Sequence, residues 1–118
     1  AYLVFDYTEA LTVIDVNSGK LSSNNDPEET AFSINMEAAE AIAKQIRLRN
    51  LSGIIIIDFI DMKRDEHRDQ VVRTLKSHVK NDRIKTTVLG MTKLGLVEMT
   101  RKKVKNPLHV LMSDNNKL

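Results

Sequence analysis

A chain of 118 residues, 42% hydrophobic and 29% charged, has the length and composition of one soluble globular domain with a single core. No apolar run approaches the roughly 18–20 residues that span a bilayer, and the absence of cysteine excludes disulfides, thiol catalysis and thiolate zinc sites. With no signal-peptide pattern, a cytoplasmic setting is the expectation. The net charge of +2 hides an uneven distribution, with acidic residues concentrated in 26–40 and 58–69 and a basic run Arg101-Lys102-Lys103-Val104-Lys105 near the end.

Residues 1–7 and 10–16 are mostly apolar or β-branched with Asp6, Tyr7, Thr8 and Glu9 around the break, which predicts an antiparallel hairpin. The chain opens inside that strand pattern without an initiator Met, so it is expected to be a fragment of a larger protein. Residues 17–25 have no periodicity and read as a loop. Asp26-Pro27-Glu28-Glu29 then supplies an N-cap, a proline at the first helical position and a glutamate three residues after the cap. The helix should run to about Leu48, burying Phe32, Met36, Ala39, Ile42, Ala43 and Ile46 while Glu37, Glu40 and Lys44 lie elsewhere.

After Gly53, residues 54–57 form an unbroken isoleucine run, the pattern of a central parallel strand covered on both faces. A second helix is predicted over residues 65–80, with Val71, Val72, Leu75 and Val79 as its buried stripe and His67 and His78 on its surface. Residues 84–91 return to strand character, Lys93-Leu94-Gly95 is a turn, and residues 96–105 are a further strand or a short helix. A short apolar patch at 108–112 follows Pro107, and the tail beyond it should fray. The fold class expected is α/β: a mixed, partly parallel sheet with a strand-helix-strand crossover and two helices packed on it.

Two aspartates stand out, Asp15 at the end of one strand and polar Asp58 at the end of another, with one long helix between them. A right-handed crossover makes the strands parallel and brings both carboxylates to one edge of the sheet, where open α/β sheets bind ligands. Adjacent strands lie about 4.8 Å apart and carboxylate oxygens sit about 2.0–2.1 Å from magnesium, so one ion fits between the two acids. Magnesium takes one or two protein carboxylates, keeps waters and draws its other ligands from phosphates, so the pair points to phosphate chemistry. The competing reading is that each Asp only caps the turn after its strand. Strand alternation puts Asp61 on the opposite face, as a turn or cap residue. Glycine-rich phosphate loops, a Gly-x-Ser-x-Gly elbow and His-rich metal spacing are all missing.

The segments Asp15-Val16-Asn17-Ser18, Asp26-Pro27-Glu28-Glu29-Thr30-Ala31-Phe32, Asn35-Met36-Glu37-Ala38-Ala39, Arg47-Leu48-Arg49-Asn50-Leu51-Ser52-Gly53, Ile57-Asp58-Phe59-Ile60-Asp61-Met62 and Lys93-Leu94-Gly95-Leu96-Val97-Glu98-Met99-Thr100-Arg101 occur in this order. With them, nearly the whole chain resembles the ribonuclease E/G family, in its deoxyribonuclease-like catalytic subdomain. The resemblance implies hydrolytic endonuclease activity on single-stranded, often AU-rich RNA in bacterial RNA processing and decay. It also implies magnesium ligation by Asp15 and Asp58, with Asn17 orienting a ligand carboxylate; manganese suits a similar oxygen site. The ion would polarise the scissile phosphate, activate a water and offset developing negative charge, leaving no need for a side-chain general base.

Arg49, Lys85 and Lys93 occupy positions where the family has basic residues near RNA, and phosphate contact is the implied role. Lys93-Leu94 departs from the common Arg-Phe, and a lysine is a point charge where arginine grips phosphate bidentately. Residues 20–25 depart from the usual Gly-Gly before the helix. Family members also carry an OB-fold domain and a 5′-end sensing pocket before this segment, and many have a cysteine pair after it that shares zinc between subunits; none of these is in this sequence, and no zinc site is expected here. Those domains of the same chain, single-stranded RNA, and in the full-length protein a second copy are the expected partners. Substrate grip should come mainly from those other regions, so the fragment alone is expected to bind magnesium weakly and cleave RNA little or not at all.

Two other classes compete. A response-regulator receiver would use Asp58 as phosphoacceptor, Asp15 as metal acid and Thr87 as a switch residue. It normally has adjacent acids at its first site and a helix plus a whole strand between the acids. A non-catalytic RNA-binding module that keeps the fold is the third reading.

Overall fold

A computed structural model of the chain describes residues 1–19 and 26–104. Strands β1 (Tyr2–Tyr7) and β2 (Leu11–Asn17) form the expected hairpin, with Tyr2 opposite Asn17 and Tyr7 opposite Thr12. The turn needs no glycine because Thr8 closes it. Its backbone N–H and its hydroxyl both donate to the Leu11 carbonyl, at 2.9 and 2.7 Å, and its Oγ1 accepts the Leu11 N–H at 3.0 Å.

Helix α1 (Pro27–Leu48) starts as its sequence dictates, with Asp26 Oδ1 accepting the Glu28 N–H at 2.9 Å and proline in the first turn. It ends in a Schellman cap: Asn50 adopts a left-handed φ of 51°, Asn50 N–H bonds the Arg47 carbonyl, and Leu51 N–H bonds the Ile46 carbonyl. Leu51 is buried against the core, which fixes the direction in which the chain enters β3 (Gly53–Asp58). Strands β2 and β3 pair in parallel, so the crossover inferred from the two strand patterns and the helix between them is present.

The second crossover skips one position. Chain leaves β3 through α2 (Asp65–Val79), forms β4 (Thr86–Met91) at the sheet edge, and turns back as β5 (Leu96–Arg101), which inserts antiparallel between β3 and β4. The sheet order is β1-β2-β3-β5-β4. This is the mixed, partly parallel α/β sheet expected, and residues 96–101 resolve the open alternative in favour of a strand.

Both helices pack on one face. There Ile14, Ile55, Ile57, Val97 and Met99 from the sheet, Ala39, Ile42 and Ile46 from α1, and Val71 and Leu75 from α2 are almost completely buried. The other face is uncovered by any described residue, which corrects the expectation that β3 is covered on both sides. Ile54 is 48% exposed and Val4 on β1 is 43% exposed. An uninterrupted isoleucine run therefore marks a strand with one buried face and one apolar face left open. The expectations for the loop 20–25 and for the patch 108–112 fall outside the described residues.

Candidate metal centre

Strand alternation decides where the two aspartates point. On β2, Thr12, Ile14 and Val16 are buried under the helices, so Asp15 belongs to the open face; on β3, buried Ile55 and Ile57 place Asp58 on that same face. The two are direct register partners at the carboxyl ends of adjacent parallel strands. No salt bridge among the described residues reaches either carboxylate. Partial burial at the strand end, and after it the negative charge of Asp15, push the Asp58 carboxyl above its ordinary value of 3.8.

The donor set suits a hard cation that keeps much of its water. Among the described residues no group of three or more His, Cys, Asp or Glu converges to cage a metal. Two oxygens from adjacent strands are what magnesium takes from a protein when phosphate and water complete its octahedron. Zinc, which prefers three or four nitrogen or sulfur ligands, does not fit.

Asn17 lies two residues beyond Asp15 on the same side of β2, and its Oδ1 accepts the Gly19 N–H at 2.9 Å in an Asx turn. That bond fixes the amide beside the acid pair. Lys93 sits in the β4–β5 turn, which Thr92 closes through its carbonyl and hydroxyl, and this turn lies at the acid end because Leu96 pairs with Asp58. Arg49 and Lys85 are placed elsewhere. Lys85 precedes β4 at the end where Arg101 faces Gly53. Arg49 leaves the C-terminus of α1, stacks its guanidinium 3.7 Å over the Phe5 ring, and donates to Tyr7 Oη at 2.5 Å and to Gln45 Oε1 at 3.0 Å.

The loop that follows Asp58 is held by side chains whose role the sequence did not disclose. Asn35, fully buried in α1, donates to the Ile60 carbonyl at 2.8 Å and accepts the Ile60 N–H at 3.0 Å, clamping that peptide from both sides. Glu28 accepts the N–H groups of Lys63 and Arg64 at 2.7 and 3.2 Å and lies 2.6 Å from His67 Nδ1, whose ring stacks on Phe32. The Lys63 N–H and the His67 hydrogen bond draw the Glu28 carboxyl down to about 2. His67 is thus buried, not on the surface as expected, because it ties the starts of α1 and α2 together; His78 is half-buried. Arg68 Nε donates to the Met62 carbonyl at 2.7 Å.

Asp61 is also corrected. Strand β3 stops at Asp58, so alternation does not extend to residue 61, and Asp61 lines the same cleft as Asp58. One sequence signal pointed at the clamp: Asn35 is a polar residue beside an otherwise apolar stripe, and buried polar groups need partners.

A sequence profile of the ribonuclease E/G family matches residues 1–104. The chain is 51% identical over 113 residues to ribonuclease G of Haemophilus influenzae and 49% identical over 114 residues to ribonuclease G of Escherichia coli K12. Each match takes in 96% of this chain and 23% of the relative. Ribonuclease E of Escherichia coli K12 is 46% identical over 102 residues, 86% of this chain and 10% of that protein. The chain therefore spans about a quarter of the length of the ribonuclease G relatives. A receiver loses its footing here, since the acids lie on adjacent strands joined by a single helix and the profile matches most of the chain. The chain belongs to the ribonuclease E/G family.

Proposed function

We propose that this segment is the metal-holding part of an endoribonuclease that hydrolyses phosphodiester bonds of single-stranded RNA. The observation that carries this reading is the parallel register that sets Asp15 directly beside Asp58 on the open face of the sheet. A divalent ion held there, magnesium or manganese, would supply positive charge against the scissile phosphate and make water a better nucleophile at neutral pH.

The chain's own residues then do four things. Asp15 and Asp58 hold the ion, and neutralising their mutual repulsion makes them a better site together than either alone. Asn17, its carbonyl oxygen already committed to Gly19, offers its amide N–H groups to orient a ligand carboxylate. Asn35 and Glu28 fix residues 60–64, and with them the backbone that carries Asp58 into its loop. Lys93, on the neighbouring turn, adds charge for an RNA phosphate. Arg49 and Lys85 lie toward the other end of the sheet, so their contact with RNA would be with backbone remote from the scissile bond.

Binding of the rest of the substrate falls to parts of the protein outside this segment, as do any further copies of the chain. The test is cleavage of a single-stranded RNA by a longer protein that includes this segment. Asp15→Asn and Asp58→Asn should each lose more than about 10²-fold in rate, the scale seen when a main electrostatic group of an active site is removed, while RNA binding persists. Undiminished cleavage by either variant would refute the assignment of that aspartate, and undiminished cleavage by both would place the chemistry outside this pair.

A further inference from the structure

The loop after β3 and the β4–β5 turn do not close against each other. Between them runs a cleft that begins at Asp58 and is lined by Asp61, Arg68, Met91, Leu94 and Gly95. Its walls differ in chemistry. On one side is Arg68, in the first turn of α2, whose guanidinium is anchored through Nε to the Met62 carbonyl and lies 3.8 Å from Asp65 through NH1. On the other is Leu94, 87% exposed at the tip of its turn, with Met91 behind it.

A single exposed leucine is ordinary on a protein surface, but this one lines a cleft together with Arg68 and Asp58. The turn does not need it. Thr92 closes that turn through its carbonyl and hydroxyl, and Gly95 supplies the left-handed φ of 84°. Arg68 holds the Met62 carbonyl through Nε, while Asp65 and Glu66 supply the acidic residues favoured at a helix start. A planar cation fixed through Nε, lining with Met91 and Leu94 a cleft that includes Asp58, matches one class of ligand: a nucleotide, with its phosphate on the guanidinium and its base on the apolar side chains.

We propose that this cleft is a nucleotide subsite, in which Arg68 binds the phosphate next to the scissile one and Leu94 with Met91 receives the adjoining base. The inference rests on the reading of Asp15 and Asp58 as the ion-holding pair only for the identity of the neighbouring phosphate. Few aromatic residues are available for stacking, so an aliphatic wall serves instead. It accepts any base with little discrimination, because it offers no hydrogen-bond pattern to read.

The experiment is an NMR titration of the 118-residue chain with uridine 5′-monophosphate, with uridine and inorganic phosphate as separate arms, in saturating magnesium and again in EDTA. Shifts at the Arg68 Nε–H and at the Leu94 and Gly95 amides should saturate with the nucleotide and be weaker with either half alone. Arg68→Gln should weaken nucleotide binding by about tenfold, as loss of a charge-assisted hydrogen bond implies, with Arg68→Lys intermediate. Leu94→Ser, at a fully exposed tip, should weaken the nucleotide while leaving phosphate binding unchanged. No saturable shift at these residues in either condition, or equal affinity in wild type and Arg68→Gln, overturns the proposal. Failure of the acid pair reads differently: magnesium would not bind, while the contrast between wild type and Arg68→Gln would persist.

Discussion

The two ends of the sheet treat charge in opposite ways. At the end where β5 finishes, Arg101 is only 4% exposed, and all its nitrogens are engaged. Nε and NH2 meet the Asp82 carboxylate at 2.8 and 3.3 Å, and NH1 donates to Asn50 Oδ1 and to the Leu51 carbonyl, both at 2.9 Å. Asp82 also accepts from the Ile84 N–H and the Thr86 hydroxyl. At the other end two carboxylates of like sign stand side by side with no described cation against them. A fold that pairs its buried charges carefully in one place and sets two acids together in another gains nothing in stability from the second arrangement. The ion proposed above would account for it.

Breaking the paired end should have the largest effect. Arg101→Met leaves Asp82 buried without its partner and should cost about 3–5 kcal/mol of stability, measured by urea unfolding. Magnesium affinity of the fraction that remains folded should not change, because the acid pair is at the far end of β3. A next smaller effect, and the one that joins stability to the site, is expected from Asn35→Ala. It orphans the Ile60 peptide and should cost about 1–3 kcal/mol. Unlike Arg101→Met, it should also weaken magnesium binding, since Ile60 lies two residues after Asp58.

Acid should sharpen the same contrast. Glu28 and Asp82 both have folded-state values near 2, below their ordinary 4.5 and 3.8. Between those values the unfolded chain binds more protons than the folded one, so stability rises with pH. These contributions are complete above about 4.5 and drain away as pH falls toward 2. Urea midpoints measured across that window should fall, and Glu28→Gln should flatten part of the slope.

Much of the fold was legible because its elements carry local signals. The Asp-Pro start of α1, its apolar stripe and the strand runs on either side placed β2, α1 and β3 and brought Asp15 and Asp58 to one edge. What sequence hid were partners far apart in the chain. His67 looked like a surface residue because nothing near it reveals that Glu28, 39 positions earlier, lies against its ring. Arg101 opens the basic run 101–105, and nothing near it in sequence reveals that Asp82 and the Schellman cap of α1 bury it. Asp61 was assigned by alternation that ends with the strand three residues before it. The isoleucine run of β3 gives no sign of which face is covered, since both look alike in sequence. Arg49, Lys85 and Lys93 were all named by resemblance as RNA-phosphate contacts; the turn between β4 and β5 puts Lys93 at the acid end, while Arg49 follows α1 and Lys85 precedes β4.

Asp15 and Asp58 are proposed to form one cation site, and the decisive experiment is a magnesium and manganese titration of wild type, Asp15→Asn and Asp58→Asn by calorimetry. One saturable site in wild type, lost in both variants while their unfolding curves stay intact, is the predicted result. Unchanged binding in either folded variant would contradict it and return that aspartate to the role of a turn residue.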